Sequence, residues 1–281
     1  MTLSQAEFNY VSQLVRREAS IVLAPGKEYL VEARLIPVAR AVGSPSVTEF
    51  LADLQRRPNP ANQRRVIDAL TTNETSWFRD REPFGALNEV VLPELVKSRA
   101  ATRKVRVWSA ASSSGQEAYS LAITLQEALP PGWSYDIMGT DISTEMVKRA
   151  ETAEYSQVEV NRGLPAAQLV QYFERAGAHW RVTQTLRRNV SFRLMNLTAP
   201  LPAMQPFDVI FLRNVLIYFD VATKRSVLHN VAKLLRPDGW LFLGAAETTI
   251  GIDDNYERLS AGRTSAYRVR TGAPAGAVRR G

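Results

Sequence analysis

Over residues 105–270, short apolar runs alternate with helical segments, and this alternation limits the chain to a sheet covered by helices. VRVWSA (105–110) leads into a helix over 116–129 that stops at Pro130-Pro131-Gly132. YDIMGTDI (135–142) is a second strand, and a helix starts near Ser143. VSFRLMN (190–196), FDVIFLRN (207–214), a helix over 222–235, WLFLGA (240–245) and SAYRVR (265–270) continue the series. The expectation is an α/β fold with a parallel, Rossmann-like sheet. Between Pro165 and Asn189 the alternation breaks, and a helix through Tyr172 leads to a small inserted hairpin placed near 176–189.

The first 72 residues show no strand pattern. Phe8, Val11, Leu14 and Val15 have helical spacing, and Leu30, Ala33, Leu35 and Ile36 continue an apolar face beyond Pro25-Gly26. The run Gly43-Ser44-Pro45-Ser46 is a stop followed by an N-cap, and Pro58-Asn59-Pro60 opens another helix through Leu70. These segments predict an all-α domain over 1–72, followed by the α/β domain over 73–271. The Gly-, Ala- and Pro-containing stretch 272–281 is expected to be a disordered tail.

Composition removes several chemistries. There is no cysteine, so disulfides, thiolate metal sites and cysteine nucleophiles are excluded. The two histidines, His179 and His229, lack ligand spacing, and no metal is expected. No apolar run reaches the roughly 18 residues of a membrane helix, and the first residues lack a secretory pattern, so the cytoplasm is the expected location. The net charge of +7 favours an acidic partner, either nucleic acid or an acidic protein surface.

Four segments carry polar groups at strand ends or between domains. At 109–117, SAASSSGQE joins a strand to a helix with small residues and a single glycine, unlike a dinucleotide fingerprint. Free helix N–H groups and Glu117 there suit an amine-bearing ligand; the competing reading is a capped helix in which Glu117 complements the dipole. Asp141 ends the next strand, where an acidic side chain meets ribose hydroxyls; it is otherwise an N-cap, although Ser143 can fill that position. Arg213 and Asn214 follow the apolar run FDVIFL, at the ligand edge of a central strand. The segment 72–79, TNETSWFR, reads from its residues alone as a polar linker with a capped helix.

NETSWFRD, VWSAASSSGQEAYSLAI, GTDIS, FDVIFLRNVLIYFD and LLRPDGWLFLGAAE together resemble the successive motifs of the CheR family of chemoreceptor glutamate O-methyltransferases. The resemblance spans nearly the whole chain. It implies an S-adenosylmethionine-dependent methyltransferase that yields S-adenosylhomocysteine and glutamate methyl esters. By motif position it implies Asn73, Thr75 and Arg79 closing over the cofactor, Glu117 on its amino-acid portion and Asp141 on its ribose. Asn196, Leu197, Arg213 and Asn214 would surround its adenosine and methionine moieties, with Tyr218 near the transferred methyl. Arg79 and Tyr218 are the expected catalytic residues. The implied partner is the cytoplasmic methylation face of a receptor coiled coil, met by a monomer through Lys27, Arg34, Arg40, Arg56 and Arg57. The other readings are a catalytically silent receptor-binding module and a nucleic-acid ribose methyltransferase. Two departures stand out. The segment 244–248 reads GAAET where a histidine–serine pair is expected before the glutamate. The loop around Gly177 and Ala178 is short for a hairpin that tethers to a receptor tail.

Overall fold

The structure is a computed structural model that describes residues 3–270, so the tail expected over 272–281 lies outside the described residues. The chain opens with helices α1 (Gln5–Ala19), α2 (Glu28–Ala41), α3 (Val47–Arg56) and α4 (Pro60–Leu70). Caps start three of them. Ser4 and Glu7 form a capping box on α1, Ser46 accepts from the Glu49 N–H on α3, and Asn59 accepts from the Asn62 N–H on α4 with Pro60 in the first turn. Helix α1 buries Phe8, Val11, Leu14 and Val15. In α2 the buried stripe is Val31, Leu35 and Ala39, at four-residue spacing, while Leu30 and Ile36 are exposed. The apolar face expected from Leu30, Ala33 and Ile36 is therefore rotated, and only Leu35 belongs to it.

Beyond a connecting segment come α5 (Glu82–Ala86), a π-helical turn (Leu87–Val91) and α6 (Leu92–Ser98), and then the sheet. In chain order follow β1 (Lys104–Ala110), α7 (Gln116–Ala128), β2 (Ser134–Asp141), α8 (Thr144–Thr152), β3 (Glu154–Tyr155), α9 (Gln157–Asn161) and α10 (Ala166–Tyr172). Next are β4 (Phe173–Ala176), β5 (His179–Val182), α11 (Gln184–Arg187), β6 (Val190–Leu194) and β7 (Phe207–Leu212). A 3-10 turn (Leu216–Tyr218), α12 (Val221–Ala232), β8 (Leu235–Leu243), β9 (Tyr256–Ala261) and β10 (Thr264–Val269) complete the chain.

The main sheet has the order β6-β2-β1-β7-β8-β10-β9. Its first five strands are parallel, and all six residues of β7 are buried because both sheet faces are covered. One face shares a continuous core with the N-terminal helices, in which Leu14, Leu35 and Val66 join Trp108, Ile210 and Leu241. The other face packs under α7, α5 and α6. The sheet is not wholly parallel. Strand β10 runs antiparallel to β8 and β9, because only the two residues Gly262 and Arg263 separate β9 from β10 and a turn that short reverses the chain. The inserted hairpin is β4–β5, with β3 as its third strand, and it lies earlier than 176–189. Residues 184–187 of that range are helical. No helix among the described residues is long and apolar enough to cross a membrane.

Candidate functional site

Chain order reverses in the sheet at β1: β2 lies on one side of it and β7 on the other. A ligand crevice is expected outside the carboxyl ends of strands at such a switch point. A partly open cleft lies there. It brings together all ten residues singled out in the sequence: Asn73, Thr75, Arg79, Glu117, Asp141, Asn196, Leu197, Arg213, Asn214 and Tyr218. Ala19 and Ile21, from the end of α1 and the residues after it, add an apolar wall that sequence reasoning missed. Both read as ordinary core residues of a helical domain, and only the fold carries them to the sheet edge.

The β1–α7 turn is shaped for close approach. Ala111 and Ser113 adopt positive φ (63° and 49°), as does Gly115 (97°). A Cβ on Gly115 would lie 3.0 Å from both the Ala150 Cβ and the Tyr155 hydroxyl, so glycine suits this position. The Ser113 N–H donates to Asp141 Oδ2 at 2.8 Å, and the Ser143 N–H donates to Oδ1 at 2.8 Å. Ser143, not Asp141, caps α8. Asp141 is thus a buried carboxylate with one backbone donor on each oxygen and acceptor capacity left over. Burial pushes its pKa up from the ordinary value, against the lowering effect of those two N–H groups.

Glu117 stands in the first turn of α7. It accepts from the Ser109 hydroxyl at 2.7 Å and from Arg213 Nη1 at 2.8 Å. Burial raises its pKa, and the Arg213 guanidinium opposes the rise. Arg213 also donates through Nη2 to Asp80 Oδ2 at 2.6 Å and to the Arg79 carbonyl at 2.9 Å. The Arg79 side chain donates to the Glu74 carbonyl at 2.9 Å. Asn196 donates to the Glu18 carbonyl at 2.8 Å and so ties the segment after β6 to the end of α1.

The segment carrying Asn73, Thr75 and Arg79 is fixed from several directions. Trp77, fully buried, meets the rings of Tyr155 and Phe173 edge-on at 4.9 and 5.2 Å, and its backbone N–H donates to the Arg162 carbonyl. Gly163 passes so close that a Cβ there would lie 2.2 Å from the Trp77 carbonyl oxygen. The Ser113 hydroxyl donates to the Asn73 carbonyl, and the Phe78 N–H donates to the Ser120 hydroxyl. What reads as a linker is a clamped wall of the cleft. Of the five basic residues expected to dock a partner, Lys27, Arg40, Arg56 and Arg57 are exposed. Arg34 is instead used internally, donating to the Leu70 and Thr71 carbonyls at the end of α4.

The all-alpha domain of CheR methyltransferases matches residues 6–71, and the SAM-binding domain of CheR methyltransferases matches residues 73–264. The chain belongs to the CheR methyltransferase family. Chemotaxis protein methyltransferase 1 of Pseudomonas aeruginosa is 37% identical over 278 residues, covering 96% of this chain and 100% of that one. The chemotaxis protein methyltransferase of Vibrio parahaemolyticus is 38% identical over 275 residues, covering 96% and 99%. That of Salmonella typhimurium is 39% identical over 257 residues, covering 88% and 85%. As a CheR-family member, the chain is an S-adenosylmethionine-dependent methyltransferase. The α/β fold with an all-α N-terminal unit, expected from the sequence, is the architecture of this family.

Proposed function

We propose that this CheR-family chain methylates glutamate side chains of chemoreceptors, forming methyl esters and S-adenosylhomocysteine in sensory adaptation. The observation that carries this reading is the pair of carboxylates, buried Asp141 and largely buried Glu117, opening on the same cleft as Arg79 and Tyr218. The donor set fits the cofactor. Asp141 retains acceptor capacity for ribose hydroxyls, and Glu117 offers a carboxylate to the ammonium of the methionine portion. Asn73, Thr75, Arg79, Asn196, Leu197, Arg213 and Asn214 line the same cleft and would surround the rest of the cofactor. When bound, the cofactor supplies an electrophilic methyl on a sulfonium.

The chain's own residues then align and shield. A glutamate carboxylate is ionised at neutral pH and needs no general base. No histidine is among the described residues that line the cleft. Arg79 orients the acceptor carboxylate, and Tyr218 shapes the pocket around the methyl. The relatives' names, chemotaxis protein methyltransferases, favour neither a silent receptor-binding module nor a nucleic-acid ribose methyltransferase.

Calorimetric titration with S-adenosylhomocysteine tests the cofactor site. Wild type is expected to bind with micromolar affinity, about −8 kcal/mol. Asp141→Ala should weaken binding at least about tenfold, through loss of a buried charge-assisted acceptor. No binding by folded wild type would overturn the proposal, and binding followed by radiolabel transfer to receptor fragments would support it.

The receptor face is proposed to be the exposed cations Lys27, Arg40 and Arg57, with the fourth, Arg56, already paired with Asp53 at 3.8 Å, facing an acidic methylation helix in the cytoplasm. Reversing all three charges is expected to raise KM for a receptor fragment and to flatten its salt dependence, with cofactor affinity unchanged. An unaltered KM would dispose of this docking face. The β4–β5 hairpin turns on Gly177 and Ala178 alone, and we infer that this monomer works without tethering to a receptor tail. Measurable affinity of the chain for a receptor C-terminal peptide would reverse that inference.

A further inference from the structure

The cleft wall that follows β7 is held by one side chain from a distant part of the chain. Glu247 lies in the turn after β8, within the GAAET segment. Its Oε1 accepts from the N–H groups of Val215 at 2.9 Å, Leu216 at 2.7 Å and Ile217 at 3.3 Å. Its Oε2 accepts from the N–H groups of Asn214 at 2.8 Å and Gly244 at 2.7 Å. A single carboxylate thus gathers four consecutive amides of the loop and one from its own turn. Successive backbone N–H groups that converge in this way form a concavity for an anion, and ionised acceptors make the stronger hydrogen bonds.

The loop so gathered carries cleft residues that Glu247 does not itself replace. Asn214 sits at φ 57°, in the left-handed region, and its side chain lines the cleft. Tyr218 follows directly, and its carbonyl accepts from the Val22 N–H at 3.0 Å, joining the loop to the wall formed by Ile21. Gly244 completes the device. A Cβ there would fall 2.7 Å from Glu247 Oε2 and 2.9 Å from the Asn214 nitrogen, so only glycine leaves the carboxylate seated. Ala245 and Ala246 are exposed, so the absence of a histidine–serine pair leaves this seat intact.

We infer that Glu247 is a positioning residue for methyl transfer: its carboxylate sets the backbone of 214–217 and thereby places Asn214 and Tyr218 in the cleft. The inference rests on the reading of that cleft as the cofactor and acceptor site. It separates Glu247 from a mere fold tie, because the held atoms belong to the reaction loop and not to the β8–β9 connection alone.

The test uses the full chain, S-adenosylmethionine and a receptor fragment, with Glu247→Gln, Gly244→Ala and the double variant. S-adenosylhomocysteine binding by wild type is measured first, so that failure of the cofactor-site reading shows separately. Glu247→Gln turns an amide NH2 toward N–H donors, and Gly244→Ala unseats the carboxylate while keeping its charge. Each is expected to lower kcat roughly ten- to hundredfold, with a much smaller change in KM for the cofactor, as misplacement of reacting groups does. The double variant should be little worse than either single, since both disturb one seat. Undiminished kcat in a folded Glu247→Gln protein overturns the inference. So does a kcat loss that only tracks the folded fraction, or full additivity in the double variant.

Discussion

Arg213→Met is expected to cost about 3–5 kcal/mol of stability, as when one partner of a buried ion pair is removed, and to abolish cofactor binding. The Arg213 side chain is 1% exposed and serves three acceptors: Glu117, Asp80 and the Arg79 carbonyl. Methionine roughly fills the stem volume but leaves Glu117, 12% exposed, with only the Ser109 hydroxyl. Asp80 is 41% exposed and can turn to water, so little of the loss arises there. Burial already raises the Glu117 pKa against the opposition of Arg213, and losing the guanidinium raises it further. A carboxyl whose folded pKa lies above its unfolded one costs stability while ionised. That cost is full above the folded pKa and is relieved as pH falls toward the ordinary carboxylate range. The deficit of Arg213→Met relative to wild type should therefore be larger at neutral than at mildly acidic pH, as read from urea midpoints. A deficit below about 1 kcal/mol, the level of an exposed pair, would mean that the pair is effectively solvated.

That pair was invisible as a pair in the sequence. Arg213 and Glu117 were each marked by position, at the end of an apolar run and in the first turn after a small-residue loop, but their contact spans 96 residues. Strands β1, β2 and β7 were legible because strands buried on both faces are written as continuous apolar runs. Strand β9 was not: YERLSA carries the adjacent charges Glu257, partly exposed, and Arg258, exposed, on an edge strand, and no apolar run announces it. The rotated face of α2 has a similar origin, since Leu30, Ile36 and Val31 are equally apolar and only packing against α1, α3 and α4 selects among them. For the cleft, strand-end logic reached Glu117, Asp141, Arg213 and Asn214. Asn73, Thr75 and Arg79 lie in a segment without periodicity, shaped by Trp77 wedged against Tyr155 and Phe173, and only the family resemblance pointed to them. In the GAAET segment the missing histidine and serine are what the sequence makes visible, whereas Glu247 itself carries the polar contacts.

The same clamped segment supports the second large effect, which rests on the proposed acceptor role of Arg79. Phe78, Asp80 and Arg81 all adopt positive φ (47°, 65° and 45°), a conformation that costs non-glycine residues roughly 1–3 kcal/mol each. The cost is offset by Trp77 in its aromatic seat and by Arg213 gripping Asp80 and the Arg79 carbonyl. The Arg79 backbone is thus held firmly while its side chain spends one donor on the Glu74 carbonyl and keeps the rest of its fork for the cleft. A planar fork suits a carboxylate acceptor better than a point charge does. Arg79→Ala is therefore expected to lower turnover on a receptor fragment by about 10²–10³-fold, the usual effect of removing one preorganised donor. S-adenosylhomocysteine affinity should change by less than about tenfold, and Arg79→Lys should recover only part of the rate. Equal losses in affinity and turnover would move Arg79 from the acceptor to the cofactor. Retention of both would remove it from the reaction, leaving the strained turn as a structural feature of the cleft wall alone.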